Sequence, residues 1–365
     1  MPLMTDVSPV LNRRDAVRIG TAALVGAFVS QSPPLAAAET AGPSLHVYPN
    51  YGWLRGFTVV PSWGARIEEA WWRYDGARFR EEVALAATVH ANCLRLWIDF
   101  TAWMADPEKV TGDFFDAVKA IDEQGMKTMP CLFNRWHDVQ WDYGGQYLDD
   151  LTRDWRPKLE YVRTLVKPLV ADHRILMWDL CNEPQAANLN EDWCKREYQW
   201  LLEVAATARE CGARQPITIG TATVGGASNV DVFAPLCDVI CAHPYAHTAG
   251  ELHDLIARYQ DTSQRHRKVL LVNETIPGCL NDQRRAEVAK FYTEMLSKAG
   301  LGWMGWALRE GKAISTRRDR YDSNGINGEG FHPFFTSAGK LRDGLEFLCT
   351  KPTILPPWTA ASGTR

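Results

Sequence analysis

The sequence predicts an α/β protein folded as a single-domain (β/α)8, or TIM, barrel. Three observations carry that prediction. Short apolar runs alternate with helical stretches eight times from about residue 50 onward, the pattern of parallel strands joined by right-handed crossovers. No stretch inside that alternation has the composition of a domain linker. An open doubly wound sheet would want a Gly-rich phosphate loop after an early strand, and none follows one here.

The chain opens on a segment to be set aside before fold reasoning. Asn12-Arg13-Arg14-Asp15 precedes an uncharged run from Ile19 to Ser30, then Pro33-Pro34 and Ala36-Ala37-Ala38. A charged start, an apolar middle and a small-residue cleavage site make residues 1–38 an export signal of twin-arginine type. The apolar run is too short to span a bilayer. The barrel, residues 39–365, is therefore expected to be exported to the periplasm or beyond, with no membrane contact after cleavage.

A first strand at 51–60 ends on Pro61, and helical content over 65–89 is broken at Asp75-Gly76. A second strand at 92–98 precedes a helix over 112–124 that stops at Gly125. A third, at 126–133, ends in Asn134-Arg135-Trp136-His137 and opens a long loop rich in Trp, Asp and Gly. After a helix over 153–171 comes a fourth strand from Ile175, which stops on Asn182-Glu183-Pro184. A helix at 191–211, a strand at 216–220 and a short helical passage at 228–236 follow. The sixth strand, 239–242, ends in His243-Pro244-Tyr245; a helix at 252–266 leads to the seventh, 268–273, which ends on Glu274. A helix at 282–299, an eighth strand at 301–306, an Arg-rich loop over 309–330 and a last helix at 337–348 complete the chain.

Composition narrows the partners. A formal net charge of −4 leaves no electrostatic footprint for nucleic acid. Fifteen tryptophans exceed what a core needs, and Trp is a residue that stacks on sugar faces. All nine cysteines lie beyond residue 38, so at least one stays outside any internal disulfide. Cys237 and Cys241 are candidates for a bridge, while Cys131 and Cys181 sit in apolar runs and read as buried thiols. No cysteine spacing suits a metal, and His243, His247 and His253 are scattered over strand, loop and helix. No metal or cofactor is expected.

The chemistry lies at the strand ends, where barrels keep it. Glycosidic bond cleavage needs a proton donor for the leaving oxygen and a second carboxylate for the oxocarbenium-like centre. Glu183 and Glu274 end the fourth and seventh strands, each preceded by Asn, and those strands face each other across the mouth of an eight-stranded barrel. Arg95 can pair with Asp179 inside the barrel, a role compatible with catalysis. Asp99, just past the second strand, is a candidate for sugar hydroxyls. Among the strand-end tryptophans, Trp136 and Trp97 are the choices for sugar contact.

In this order the motifs resemble a clan A glycoside hydrolase, most similar to glycoside hydrolase family 5. The resemblance rests on Arg95 in Asn92-Cys93-Leu94-Arg95, His137 in Arg135-Trp136-His137, and Asn182-Glu183-Pro184. It continues with His243-Pro244-Tyr245, Glu274 and Gly305-Trp306, so it spans residues from about 50 to 310. It implies Glu183 as acid/base and Glu274 as nucleophile. It also implies that Arg95 keeps Glu274 ionised, Tyr245 donates to Glu274, His243 orients Glu183, Asn182 reaches a sugar hydroxyl, and Trp306 floors the sugar site. His137 is a further sugar contact on this view. The context Asn273-Glu274-Thr275-Ile276-Pro277-Gly278 places the chain at the margin of the family.

The expected activity is retaining hydrolysis of β-linked poly- or oligosaccharides, mannan or glucan first. Exo-action on a less common sugar and transglycosylation are the enzymatic rivals. An inactive sugar-binding barrel is the non-enzymatic one, disfavoured because both glutamates are present together with Arg95 and Tyr245.

Overall fold

The computed structural model describes residues 47–136, 144–147, 151, 153–222, 228–246, 248–313 and 331–359. Eight parallel strands close a barrel in chain order: β1 (Arg55–Val59), β2 (Cys93–Trp97), β3 (Lys127–Cys131), β4 (Trp178–Asn182), β5 (Ile217–Thr221), β6 (Val239–Ala242), β7 (Val269–Thr275) and β8 (Trp303–Gly305). Closure comes from β1 against β8, with Arg55 opposite Trp303 and Phe57 opposite Gly305. The fold is the expected (β/α)8 barrel. The export segment read at 1–38 lies outside the described residues.

Helices cover the outside: α1 (Ile67–Trp72), α2 (Gly76–Thr88), α3 (Phe100–Ala105), α4 (Pro107–Asp122), α5 (Arg156–Val166), α6 (Asp192–Glu210), α7 (Ser228–Phe233), α8 (Ala249–His266) and α9 (Asp282–Lys298). Asp75 separates α1 from α2 by accepting from the N–H groups of Ala77 and Arg78, as its position before a glycine suggested. The helix expected at 112–124 begins earlier. Asp106 accepts from Lys109 N–H and Pro107 occupies the first turn, two start signals that outweigh the Gly112 inside the helix. Just ahead of it α3, which the sequence reading missed, is capped by Asp99.

The last predicted helix, 337–348, does not form. Gly339 and Gly344 take φ of 79° and 85°, the left-handed region that breaks a helix. The segment turns instead, with one 3-10 stretch at Glu346–Cys349. All nine cysteines are free. Cys237, ahead of β6, packs with the helix-side core and Cys241 with the barrel interior, so the candidate pair sits in separate clusters.

The barrel interior is layered. At its N-terminal end Cys93, Met129, Met177, Leu271 and Met304 pack with Tyr51, Trp53 and Leu54. Trp358 closes that end edge-on to Trp53, ring centroids 4.9 Å apart. Above this apolar layer the interior turns polar: Arg95, Asp179 and Asn273 are wholly buried. Buried groups of that kind survive only when paired and hydrogen-bonded. Their pairing builds the site.

Candidate active site

The strand ends converge on one guanidinium. Arg95 of β2 donates from Nε to Asp179 Oδ2 at 2.7 Å, from Nη1 to Glu274 Oε2 at 2.6 Å, and from Nη2 to Asn182 Oδ1 at 2.9 Å. The interior pair with Asp179 and the contact with Glu274 therefore coexist. Asp179 also accepts from the Gly220 N–H at 3.0 Å and from Asn273 Nδ2 at 3.1 Å. The buried Arg95–Asp179 pair thus ties β2, β4, β5 and β7 together.

Strict alternation would put Asp179 and Asn182 on opposite faces of β4. Between them the register against β5 shifts, and β7 shifts against β8 between Val272 and Thr275. Such irregularities re-aim side chains beside active sites. Glu183 then leaves the ladder with φ of 49°, a region that costs a non-glycine residue about 1–2 kcal/mol. Its N–H donates to Gly220 C=O at 2.8 Å, and Arg135 N–H donates to Asn182 C=O at 2.8 Å. Behind that turn Glu197 of α6 accepts from Arg135 Nε at 2.6 Å and from the N–H groups of Gln185 at 2.8 Å and Ala186 at 2.5 Å.

The two glutamates share a small space. Oxygens of Glu183 and Glu274 and Nδ1 of His243 all lie within 4.8 Å of one another. His243 Nδ1 is 2.9 Å from Glu183 Oε1 and 3.7 Å from Glu274 Oε1. The Tyr245 hydroxyl donates to Glu274 Oε1 at 3.0 Å. Burial lowers the His243 imidazole to about 4, so the ring is neutral at neutral pH. Burial also raises the Glu274 carboxyl above its ordinary value. With His243 neutral, the Arg95 guanidinium and the Tyr245 hydroxyl are the groups that oppose that rise. Burial works against the charge of Arg95 too, but Asp179 and Glu274 more than compensate and hold it above its ordinary value. The Glu183, His243 and Glu274 donors also form a set that can hold a metal ion. Arg95, at 2.6 Å from Glu274, already places a fixed cation there.

Trp306 and Trp97 lie together at one side of the mouth, ring centroids 4.8 Å apart and tilted by 38°. The Trp306–Ala307 peptide bond is cis. Trp136 is half-buried, and its N–H donates to Asn134 Oδ1 at 3.1 Å. His137 lies outside the described residues.

Asp99 corrects the expectation of a sugar contact. It is 2% exposed, and Oδ1 accepts from Ala102 N–H at 2.7 Å, which commits the side chain to capping α3. Burial, reinforced by Glu68, raises its carboxyl to about 7.

The structure adds residues that the sequence reading left out. Asn134 Oδ1 accepts from Asn182 Nδ2 at 2.9 Å, so Asn182 is oriented from two sides, by Arg95 and Asn134. Gly220 matters for the side chain it lacks. A Cβ there would sit 2.6 Å from His243 Nε2, 2.9 Å from Arg95 Nη2 and 3.1 Å from Asn273 Nδ2. A lone glycine inside a strand run is the signal for such close approach. A cavity of about 590 Å³ opens beyond β7 against α8 and α9, lined by Pro277, Asn281 and Phe291, and none of the residues above lines it.

Comparison with known proteins fits this geometry. The family profile Cellulase (glycosyl hydrolase family 5) matches residues 70–312. No curated protein matches the sequence. Among solved structures, GH5_18 from Streptomyces cattleya, in complex with GlcNAc, superposes with a TM-score of 0.63 at 12% identity, over 83% of this chain and 82% of that one. The exo-β-1,4-mannosidase of Opitutaceae bacterium strain TAV5 gives 0.60 at 16% identity, over 81% of this chain and 58% of its own. The β-glucuronidase of Ruminococcus gnavus gives 0.56 at 13% identity, over 81% and 50%. At these identities the likeness is one of fold. The chain spans a little over half of the mannosidase and half of the glucuronidase.

Gly220→Ala tests the packing of this site. The added methyl should displace His243 and Arg95 and cost about 10²-fold in turnover, with circular dichroism unchanged. Wild-type turnover in that variant would show that the surrounding side chains have room to yield.

Proposed function

The chain belongs to the Cellulase (glycosyl hydrolase family 5) family, and from that premise we propose that it hydrolyses a β-glycosidic bond with retention of configuration. It is a glycoside hydrolase; the two-step mechanism and the residue roles are our reading. The observation that carries the reading is the approach of the Glu183 and Glu274 oxygens to within 4.8 Å. Retaining enzymes keep their carboxyl groups about 5–5.5 Å apart, whereas inverting ones leave about 6.5–9.5 Å for a water molecule.

In the first step Glu274 attacks the anomeric carbon as a carboxylate while Glu183 gives its proton to the leaving oxygen. Arg95 favours the ionised Glu274, and Tyr245 directs one lone pair of Oε1. Formation of the glycosyl ester removes the negative charge of Glu274, so the proton of Glu183 is held less tightly. Glu183 then serves as base toward water, and hydrolysis of the ester restores the starting configuration. As a neutral ring His243 can donate from Nδ1 to Glu183, keeping that carboxyl turned toward the bond. Asn182, held by Arg95 and Asn134, retains an amide hydrogen for a sugar hydroxyl. Trp306, backed by Trp97, offers an aromatic floor to a pyranose ring.

The substrate class we propose is a β-linked poly- or oligosaccharide of mannan or glucan type. A fold relative described as an exo-β-1,4-mannosidase makes β-mannosides the first compounds to screen, and exo-action the second reading. The twin-arginine-like segment at 1–38 supports export.

The role assignment is tested on aryl β-glycosides of mannose and glucose. Glu274→Ala should abolish turnover of every leaving group with the fold intact. Glu183→Ala should cleave the 2,4-dinitrophenyl glycoside, which needs no proton, and lose the phenyl one. Full activity of Glu274→Ala would end the assignment.

A pH measurement tests the electrostatics. Attack needs Glu274 ionised, and burial raises its carboxyl, so the acid limb of kcat/KM should lie above the ordinary glutamate range. The Tyr245 hydrogen bond stabilises the charged form; Tyr245→Phe should therefore move that limb to higher pH. A limb that stays put or moves down contradicts this account.

A further inference from the structure

Arg285 of α9 is wholly buried, and among the described residues no carboxylate pairs with it. Its guanidinium is instead surrounded by main-chain oxygens. Nη1 donates to Ile276 C=O at 3.2 Å and Pro277 C=O at 2.7 Å; Nη2 donates to Trp306 C=O at 3.1 Å and also to His332 C=O. The face of Phe334 lies 4.3 Å from its Cζ. Burial lowers it to about 10, which leaves it charged at neutral pH.

The carbonyls it gathers are not arbitrary. Ile276 and Pro277 form the turn that follows β7, two residues past Glu274, and Trp306 directly follows β8. In this stretch the β7–β8 ladder is irregular, with regular register lost between Val272 and Thr275. Ile276 takes φ of 78°, a region a β-branched residue adopts only under constraint. The nucleophile's strand therefore leaves the sheet through a strained turn just past that register shift. One planar cation with paired N–H groups bridges that turn to the end of the neighbouring strand. Lysine lacks this fork of fixed donors.

We propose that Arg285 is a positioning residue for both Glu274 and Trp306: a carbonyl-caged cation that locks the turn after β7 to the end of β8. The proposal rests on the reading of Glu274 as nucleophile. The acid/base side has its own brace, Glu197 with Arg135, so the two glutamates are held by separate helices, α9 and α6. Loss of Arg285 should accordingly disturb the nucleophile and leave the proton donor in place.

The test uses full-length enzyme with 2,4-dinitrophenyl and phenyl β-glycosides of mannose and glucose, and turnover normalised to folded protein. Arg285→Gln should lose about 10²-fold in kcat on both leaving groups alike, because nucleophilic attack is common to both. Arg285→Lys, which keeps the charge without the fork, should recover about tenfold of that loss. It decides the matter if the glutamine variant does not fold: an equal loss on both leaving groups supports the proposal. Unchanged kcat in these variants, or a loss confined to the phenyl glycoside, overturns it. Glu183→Ala run alongside separates this failure from failure of the role assignment. If that variant loses both substrates equally, the assignment is at fault rather than the brace.

Discussion

A buried guanidinium is expensive to desolvate, and the site depends on how that cost is offset for Arg95. Asp179 supplies one partner at 2.7 Å, wholly inside the barrel. Glu274 supplies a second, at the edge of the mouth. The division has a consequence for catalysis. On the two-step reading, Glu274 loses its charge when it becomes an ester, and Arg95 would otherwise be left without a counter-ion. Asp179 remains through the whole cycle, so the cation that orients Glu274 and Asn182 stays in place when one of its partners is consumed.

The same cation explains why several small features are needed together. Arg95 reaches Asn182 as well as Asp179 only because β4 breaks register between them. His243 and Asn273 can crowd against the guanidinium only because residue 220 has no side chain. Three of the outer helices then contribute a buried ionisable side chain. Glu82 on α2 accepts from the Ser62 backbone beyond β1, Glu197 on α6 holds the turn after Glu183, and Arg285 on α9 holds the turn after Glu274. The sheet sets where the acids emerge, and the helices set how far they can wander.

The barrel was readable from sequence because its two periods are: apolar runs for the buried strands, then helical stretches with cap signals between them. The residues gathered at the mouth were readable because barrel chemistry collects at strand ends, and Asn182, Glu183, His243, Tyr245, Glu274 and Trp306 follow that rule, while Arg95 reaches them from the middle of β2. What the sequence hid was local geometry. Residue alternation cannot reveal a register shift, so nothing in Asp179-Leu180-Cys181-Asn182 foretold that both polar ends face inward. Asp99 looked like a sugar ligand because it follows a strand, yet its place before α3 made it a cap. Gly339 and Gly344 lie within a stretch of otherwise ordinary helix composition, and their left-handed backbone decides the outcome. Asn134 was passed over because its bond to Asn182 links the loop after β3 to the end of β4, which no linear pattern records.

The central claim is that two glutamates with oxygens inside 4.8 Å act in turn on one anomeric carbon. Proton NMR of the first sugar released, recorded before mutarotation, tests it most directly. The account predicts a product with the β-configuration of its substrate; an α-product would contradict it.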